Sequence, residues 1–180
     1  NENIFIIFNG EIFNYIELKN ELIKENISFK TNSDTEVILQ IYIKYGIEGF
    51  SKLNGMWAFA ILDLNKQLLF LSRDRFGIKP LYYYFNNNEL FFSSEIKQIL
   101  PFITKKQNNN ILYNYLTLGI LDYNNQTFFE NIKKIPQKTT TTFSLKNMKT
   151  KSNIYWNYTK ENTPKNSTEQ INKFNELFFE

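Results

Sequence analysis

After Gly55 the chain runs Met56-Trp57-Ala58-Phe59-Ala60-Ile61-Leu62 without a polar residue. A strand with one face in water alternates apolar and polar side chains, so a strand that is apolar on both faces must be covered on both. This segment therefore predicts a strand in the middle of a stack of layers. The rest of the chain must supply the layers.

It does so with recognisable periodicities. Ile4 to Phe8 reads as a first strand, and Asn14 to Glu25 puts Tyr15, Leu18 and Leu22 on one helical face. Ser33-Asp34-Thr35-Glu36 has the form of a capping box, opening a helix whose face carries Val37, Ile38, Ile41, Tyr42 and Tyr45 and whose stop is Gly46. Leu68 to Ser72, Leu81 to Phe85 and Leu90 to Ser93 read as strands of an antiparallel meander. Ser94-Glu95 is expected to open a short helix that ends before Pro101, and Ile111 to Leu118 a second one stopped by Gly119. Strands are expected around Ile132 to Ile135 and Thr139 to Leu145, then a polar linker from Thr159 to Asn166. A second capping box, Ser167 to Gln170, opens a helix that is still apolar at Glu180. Both ends read as internal to a longer chain. The fold class is α+β, with helices and sheets in layers.

Composition narrows the chemistry. With 180 residues, 42% of them apolar, the chain can bury a single sizeable core. A formal charge of +3, spread among asparagines and glutamates rather than gathered in blocks, argues against a nucleic-acid partner. No run approaches the roughly 18 apolar residues of a membrane span, and no signal peptide is visible, so a cytoplasmic protein is the default expectation. The absence of Cys and His removes disulfides, thiolate and imidazole metal sites, and Ser-His or Cys-His catalysis within these residues. No metal site is expected.

Two short stretches are candidates for a site. In Asn9-Gly10-Glu11, taken alone, the Asn-Gly pair is the usual signal of a tight turn. Its functional reading is a strand that ends in a sharp turn, presenting the Asn9 side-chain amide beside the Gly10 backbone N–H as two donors for an oxyanion, with Glu11 available for a substrate ammonium. Glycine suits that role because only hydrogen shields its N–H. Asp34, taken alone, is a first-turn carboxylate favourable to the helix dipole; functionally it is a second carboxylate at an element end. The alternating charges of Arg73-Asp74-Arg75, before Phe76-Gly77-Ile78-Lys79-Pro80, fit a surface ion-pair cluster.

In order, NGEIFNY (Asn9 to Tyr15), SDTEVIL (Ser33 to Leu39), LNGMWAFAILD (Leu53 to Asp63), RDRFGIKPLYY (Arg73 to Tyr83) and SSEIK (Ser93 to Lys97) closely resemble the glutaminase domain of glutamine-hydrolysing asparagine synthases. LTLG (Leu116 to Gly119), FENIKKIP (Phe129 to Pro136) and Tyr155-Trp156 continue the resemblance. It implies a class II glutamine amidotransferase domain at residues 1–158 with the four-layer αββα sandwich of N-terminal-nucleophile hydrolases, a linker at 159–166 and the first helix of a synthetase domain at 167–180. It also implies that Asn9 and Gly10 form the oxyanion hole, that Glu11 and Asp34 hold the α-amino group of glutamine, and that Arg73 to Pro80 is structural. The partners implied are glutamine and a synthetase domain that uses ATP and magnesium to activate aspartate; a homodimer of the whole protein is compatible with it.

The departures are as specific as the matches. The N-terminal nucleophilic Cys of the family and the segment with its carboxylate-binding arginine do not occur in these residues, so the 180-residue chain alone is expected to be inactive. The synthetase's Ser-Gly-Gly-X-Asp-Ser loop is absent too, and the expected Pro-Pro-Gly turn reads Pro136-Gln137-Lys138. Two other readings compete: a non-catalytic amidotransferase-like domain that supports a synthetase, and an amidotransferase for another acceptor such as surface-polysaccharide sugars.

Overall fold

The computed structural model describes residues 3–86, 89–158 and 164–179. In chain order the elements are β1 (Ile4–Ile12), α1 (Tyr15–Lys24), α2 (Asp34–Tyr45), β2 (Gly55–Asp63), β3 (Leu68–Arg73), β4 (Tyr82–Phe85), β5 (Leu90–Ser93), α3 (Ile96–Ile99), α4 (Asn109–Leu118), β6 (Ile132–Lys134), β7 (Thr139–Ser144), β8 (Thr150–Ile154) and α5 (Ser167–Phe179). Two antiparallel sheets form, one in the order β1-β2-β3-β7-β8 and one in the order β5-β4-β6.

The doubly apolar strand lies where its pattern requires. On one face of β2, Trp57, Phe59 and Ile61 pack with Leu18 and Leu22 of α1 and with Val37, Ile38, Ile41 and Tyr42 of α2. On the other, Ala58 and Ala60 join Leu69, Leu71, Leu81, Ile135 and Phe143 between the sheets. The alanines matter because a second sheet can approach closely over small side chains. Helices α1 and α2, the larger sheet, the smaller sheet and the short α3 against β4 and β5 make the αββα order.

Several local expectations are corrected. β1 does not end at Phe8 but continues through Asn9-Gly10-Glu11 to Ile12, pairing Asn9 with Ala58 and Gly10 with Trp57. The Asn-Gly is thus neither a tight turn nor a junction: long-range pairing overrides local turn preference. The Ser33–Glu36 box is also incomplete. Ser33 caps α2 by accepting from the Thr35 N–H, while the Glu36 carboxylate turns instead to the N–H groups of Lys30 and Thr31 and the Thr31 hydroxyl. At α5 the cap is Asn166, which accepts from the Glu169 N–H, and Gln170 reaches Pro164. The turn at Gln137-Lys138 forms with Lys138 at a φ of 53°, a left-handed conformation in which glycine would be easier. β8 was not anticipated, and most of the expected linker, residues 159–163, lies outside the described residues.

At the far end of β2 a buried polar cluster pins the helix layer to the sheet. The Tyr42 hydroxyl donates to Asp63 Oδ2 at 2.6 Å and the Lys66 N–H to Oδ1 at 3.0 Å. Desolvation raises the Asp63 carboxyl, but those donors and the Lys66 charge outweigh it and hold the group below its ordinary 3.8. Glu36 behaves alike: desolvation is outweighed by its N–H and hydroxyl donors, and it lies below its ordinary 4.5. Burial first, and Asp63 second, push the Tyr42 phenol well above its ordinary 10.0.

These shifts contribute to the acid and alkaline limits of stability, the latter together with Tyr83 and Tyr155, whose phenols burial also raises. The two carboxyls ionise more readily in the fold than in the unfolded chain, so their contribution is complete above about pH 5 and is lost as pH falls through their lowered folded values. Tyr42 works in the opposite sense: its contribution is complete below pH 10.0 and is lost as pH rises through its raised folded value. Urea midpoints are expected to be level from about pH 5 to 10 and to fall on either side, with Asp63→Asn flattening the acid limb. An acid limb unchanged by Asp63→Asn would remove that role from Asp63.

Candidate active site

The site is built on the free edge of β1. This strand is the terminal one of its sheet, and among the described residues no strand pairs with its outer side. In an antiparallel ladder alternate residues exchange hydrogen bonds with the partner, and those between turn their N–H and C=O outward. The Phe13 N–H donates to Asn54 O at 2.7 Å in continuation of the β1–β2 register, which puts the odd-numbered residues of β1 in bonded pairs. The even-numbered ones, Gly10 included, point their N–H groups to the open edge. Ile12, two residues on, shows the same direction, since its N–H donates to Asp34 Oδ2 at 3.1 Å rather than to β2.

Side chains follow the same parity. Ile4, Ile12, Ile6 and Phe8 enter the core under the helices, whereas Ile7 and Asn9 line a crevice of about 240 Å³ on the side of the second sheet. Ala58 and Ala60 form its floor, and Leu81, Phe92, Ser94 and Gln98 face it. Across it the Asn9 Nδ2 donates to Ser94 Oγ at 3.2 Å. Asn9 and Gly10 therefore offer two donors on one corner of the strand, an amide over the crevice and a backbone N–H along the edge.

Glycine at position 10 has a steric cause that was not read from the sequence. At φ +154°, a Cβ there would sit 2.1 Å from the Met56 carbonyl oxygen, and one at Gly55 (φ +157°) would sit 2.2 Å from that of Glu11. The paired glycines let β1 and β2 approach closely at the site end of the sheet. Asn14 seals the same end: its Nδ2 donates to Lys52 O at 3.0 Å, and its Oδ1 accepts from the Asn54 N–H at 2.9 Å.

Of the predicted site residues, the structure gathers all four at one end of β1. Asn9, Gly10 and Glu11 are consecutive there, and Asp34, at the start of α2, is tied to the next residue through the Ile12 N–H. Asn9 and Glu11 are exposed, Gly10 and Asp34 half-buried. An acceptor with a positively charged group beside it would meet two donors and, farther along the edge, two carboxylates. A larger cavity, about 490 Å³ between Arg73, Gly77, Tyr82, Asn124, Lys134 and Gln137, contains none of the four.

Two features escaped sequence reading. Ser94 does not open α3: Glu95 stands at the cap position without a side-chain cap, the Ser93 hydroxyl donates to Glu95 O, and Ser94 is left to face Asn9. The Arg73–Pro80 stretch is not a surface ion-pair cluster. Asp74 is fully buried and accepts from the N–H groups of Trp57, Phe76, Ile78 and Lys79 at 3.0–3.2 Å. Arg73 donates to the carbonyl oxygens of Lys79, Ile135 and Gly77. Only burial distinguishes this from a solvated cluster, and burial is not local in sequence.

The sequence pattern of the glutamine amidotransferase domain matches residues 1–156. A Methanocaldococcus jannaschii protein assigned as glutamine-hydrolysing asparagine synthetase 2 is 42% identical over 158 residues, 86% of this chain and 30% of that protein. Asparagine synthetase 3 of Bacillus subtilis is 38% identical over 160 residues, 87% of this chain and 25% of that protein. The chain thus spans a quarter to a third of the length of these relatives. Among solved structures, the glutamine phosphoribosylpyrophosphate amidotransferase of B. subtilis superposes with a TM-score of 0.58 at 18% identity, covering 85% of this chain and 29% of that one. The chain belongs to the glutamine amidotransferase domain family, and its sandwich is the fold of that family's N-terminal-nucleophile hydrolases.

Proposed function

We propose that these residues are the glutaminase part of an ATP-dependent asparagine synthase, the part that releases ammonia from glutamine for the amidation of aspartate. The observation that supports this reading is the adjacency of the Asn9 amide and the outward Gly10 N–H at one corner of β1, with Glu11 next along the strand and Asp34, at the start of α2, bonded to the Ile12 N–H. When a nucleophile adds to the side-chain amide of glutamine, the carbonyl oxygen becomes an oxyanion. Asn9 and Gly10 donate to it, and preorganised donors of that kind act on the transition state more than on the bound substrate. Glu11 and Asp34 hold the α-ammonium, which fixes the amide against those donors. Collapse then expels ammonia, and water releases glutamate.

The chain contains no Cys and no His, so the nucleophile of this reading comes from elsewhere in the whole protein. ATP and magnesium belong, in the same reading, to the synthetase part, as do residues 167–180, which include helix α5. The test uses the full-length protein with glutamine labelled with ¹⁵N at the side-chain amide, aspartate, ATP and magnesium. The label is expected in asparagine, and the 180-residue chain alone is expected to release no ammonia above background. Label in a product other than asparagine would reassign the acceptor; turnover by the chain alone at a rate comparable to the full-length protein would overturn the site described here.

A further inference from the structure

We propose that Ser94 is a positioning residue for the oxyanion-binding amide of Asn9, a role that rests on the glutaminase reading above. The starting point is a difficulty with Asn9 itself. The terminal torsion of an asparagine is broad and roughly two-fold, so an exposed amide on an edge strand has no intrinsic preference for the orientation that catalysis requires. Its neighbours along the same face of β1, Ile7 and Glu11, are exposed as well, and Ile7 carries no polar atom on its side chain to fix it.

What does fix it comes from 85 residues away. Ser94 Oγ accepts from Asn9 Nδ2 at 3.2 Å across the crevice between the sheets. A primary amide has two N–H bonds, so one can be held by Ser94 while the other is left for the oxyanion. Ala58, Leu81 and Phe92, which line the same crevice, offer Asn9 no polar side-chain atom that competes with Ser94. The capping role that a serine at a strand-to-helix corner would normally have is not performed by this one: α3 begins at Ile96 with no side-chain cap, and the corner is closed by the Ser93 hydroxyl on Glu95 O. The Ser94 hydroxyl is thus committed to the opposite sheet, where Asn9 stands.

The consequence is specific to the rate of the chemical step. Without the Ser94 hydroxyl the amide samples orientations that do not face the oxyanion, while the carboxylates that hold glutamine are untouched. In the full-length protein Ser94→Val is expected to lower kcat for glutamine hydrolysis about five- to tenfold, the equivalent of one neutral hydrogen bond, with KM unchanged. Ser94→Thr, the same shape with the hydroxyl retained, is expected to recover most of that loss. In an Asn9→Ala background Ser94→Val is expected to have no further effect, because the group it orients is gone. The isosteric Thr/Val pair makes a general packing defect separable from loss of the bond. Three results overturn the proposal and leave the glutaminase reading standing: equal rates for Thr and Val, a change confined to KM, or an additive effect in the Asn9→Ala background. A wild-type full-length protein without glutaminase activity overturns the reading on which the proposal rests.

Discussion

Replacing Asp74 by alanine is expected to cost the domain about 4 kcal/mol or more, a large share of the 5–15 kcal/mol that a domain of this kind has in total. The side chain is fully buried and its two oxygens accept from four backbone N–H groups, those of Trp57, Phe76, Ile78 and Lys79. The buried Trp57 N–H left without a partner costs about 1–3 kcal/mol, and the other three, partly buried, cost less each because water can reach them in part. The main chain of Asp74 adds its own ties, since its N–H donates to Trp57 O and its carbonyl accepts from Gly77 and Lys138. Asparagine is expected to be nearly as damaging as alanine. It keeps one acceptor oxygen but turns an NH₂ group toward donors, with nothing to accept from it. Urea unfolding followed by tryptophan fluorescence suits the measurement, because Trp57 is buried against this turn and only one other tryptophan is present. A loss under 1 kcal/mol for Asp74→Ala would mean that the four bonds contribute little and that the Arg73–Pro80 turn is held from elsewhere.

What could be read from the sequence divides along a physical line. β2 and the helices α1 and α2 were legible because their apolar residues recur at the period of the element itself, and those same residues form the two cores. The length of β1 was not, since its second half contains an Asn-Gly whose local preference is a turn. The pairing with β2, made possible by Gly10 and Gly55 facing each other's neighbouring carbonyls, outweighs that preference. β8 was missed because Thr150–Ile154 is an edge strand with hardly any buried side chain, and an edge strand of that kind has no alternation to show. Ser94 meets a partner 85 residues away, and Asp74, though three of its four donors are within five residues, differs from a solvated charge only by its burial and its bond to Trp57; neither a charged Arg-Asp-Arg nor a Ser-Ser-Glu announces whether it will be buried. Asn9, Gly10, Glu11 and Asp34 were legible only through the company of the other motifs. Each has a plain structural reading when taken alone.

The second large effect is catalytic and falls on Asn9. In the full-length protein Asn9→Ala is expected to lower kcat for glutamine hydrolysis about 10²–10³-fold and to leave KM for glutamine close to its original value. The split follows from where the donor acts. The Asn9 amide lies over the crevice beside the outward Gly10 N–H; in the proposed function it meets the oxygen only as negative charge develops. Substrate binding in the ground state is assigned to Glu11 and Asp34, so Glu11→Gln and Asp34→Asn are expected to raise KM first. Asp34→Asn keeps a carbonyl oxygen for the Ile12 N–H and so tests the charge with the anchor intact. Asn9→Asp is expected to be at least as slow as alanine, because a carboxylate at that point repels the oxyanion instead of donating to it. Asn9 is a poor candidate for a stability effect, exposed as it is on an edge strand, so thermal unfolding of Asn9→Ala should stay close to that of the original protein. A variant that unfolds normally, binds glutamine normally and hydrolyses it at the original rate would remove Asn9 from the oxyanion hole; one that loses rate through KM alone would move it to the substrate-holding group with Glu11 and Asp34.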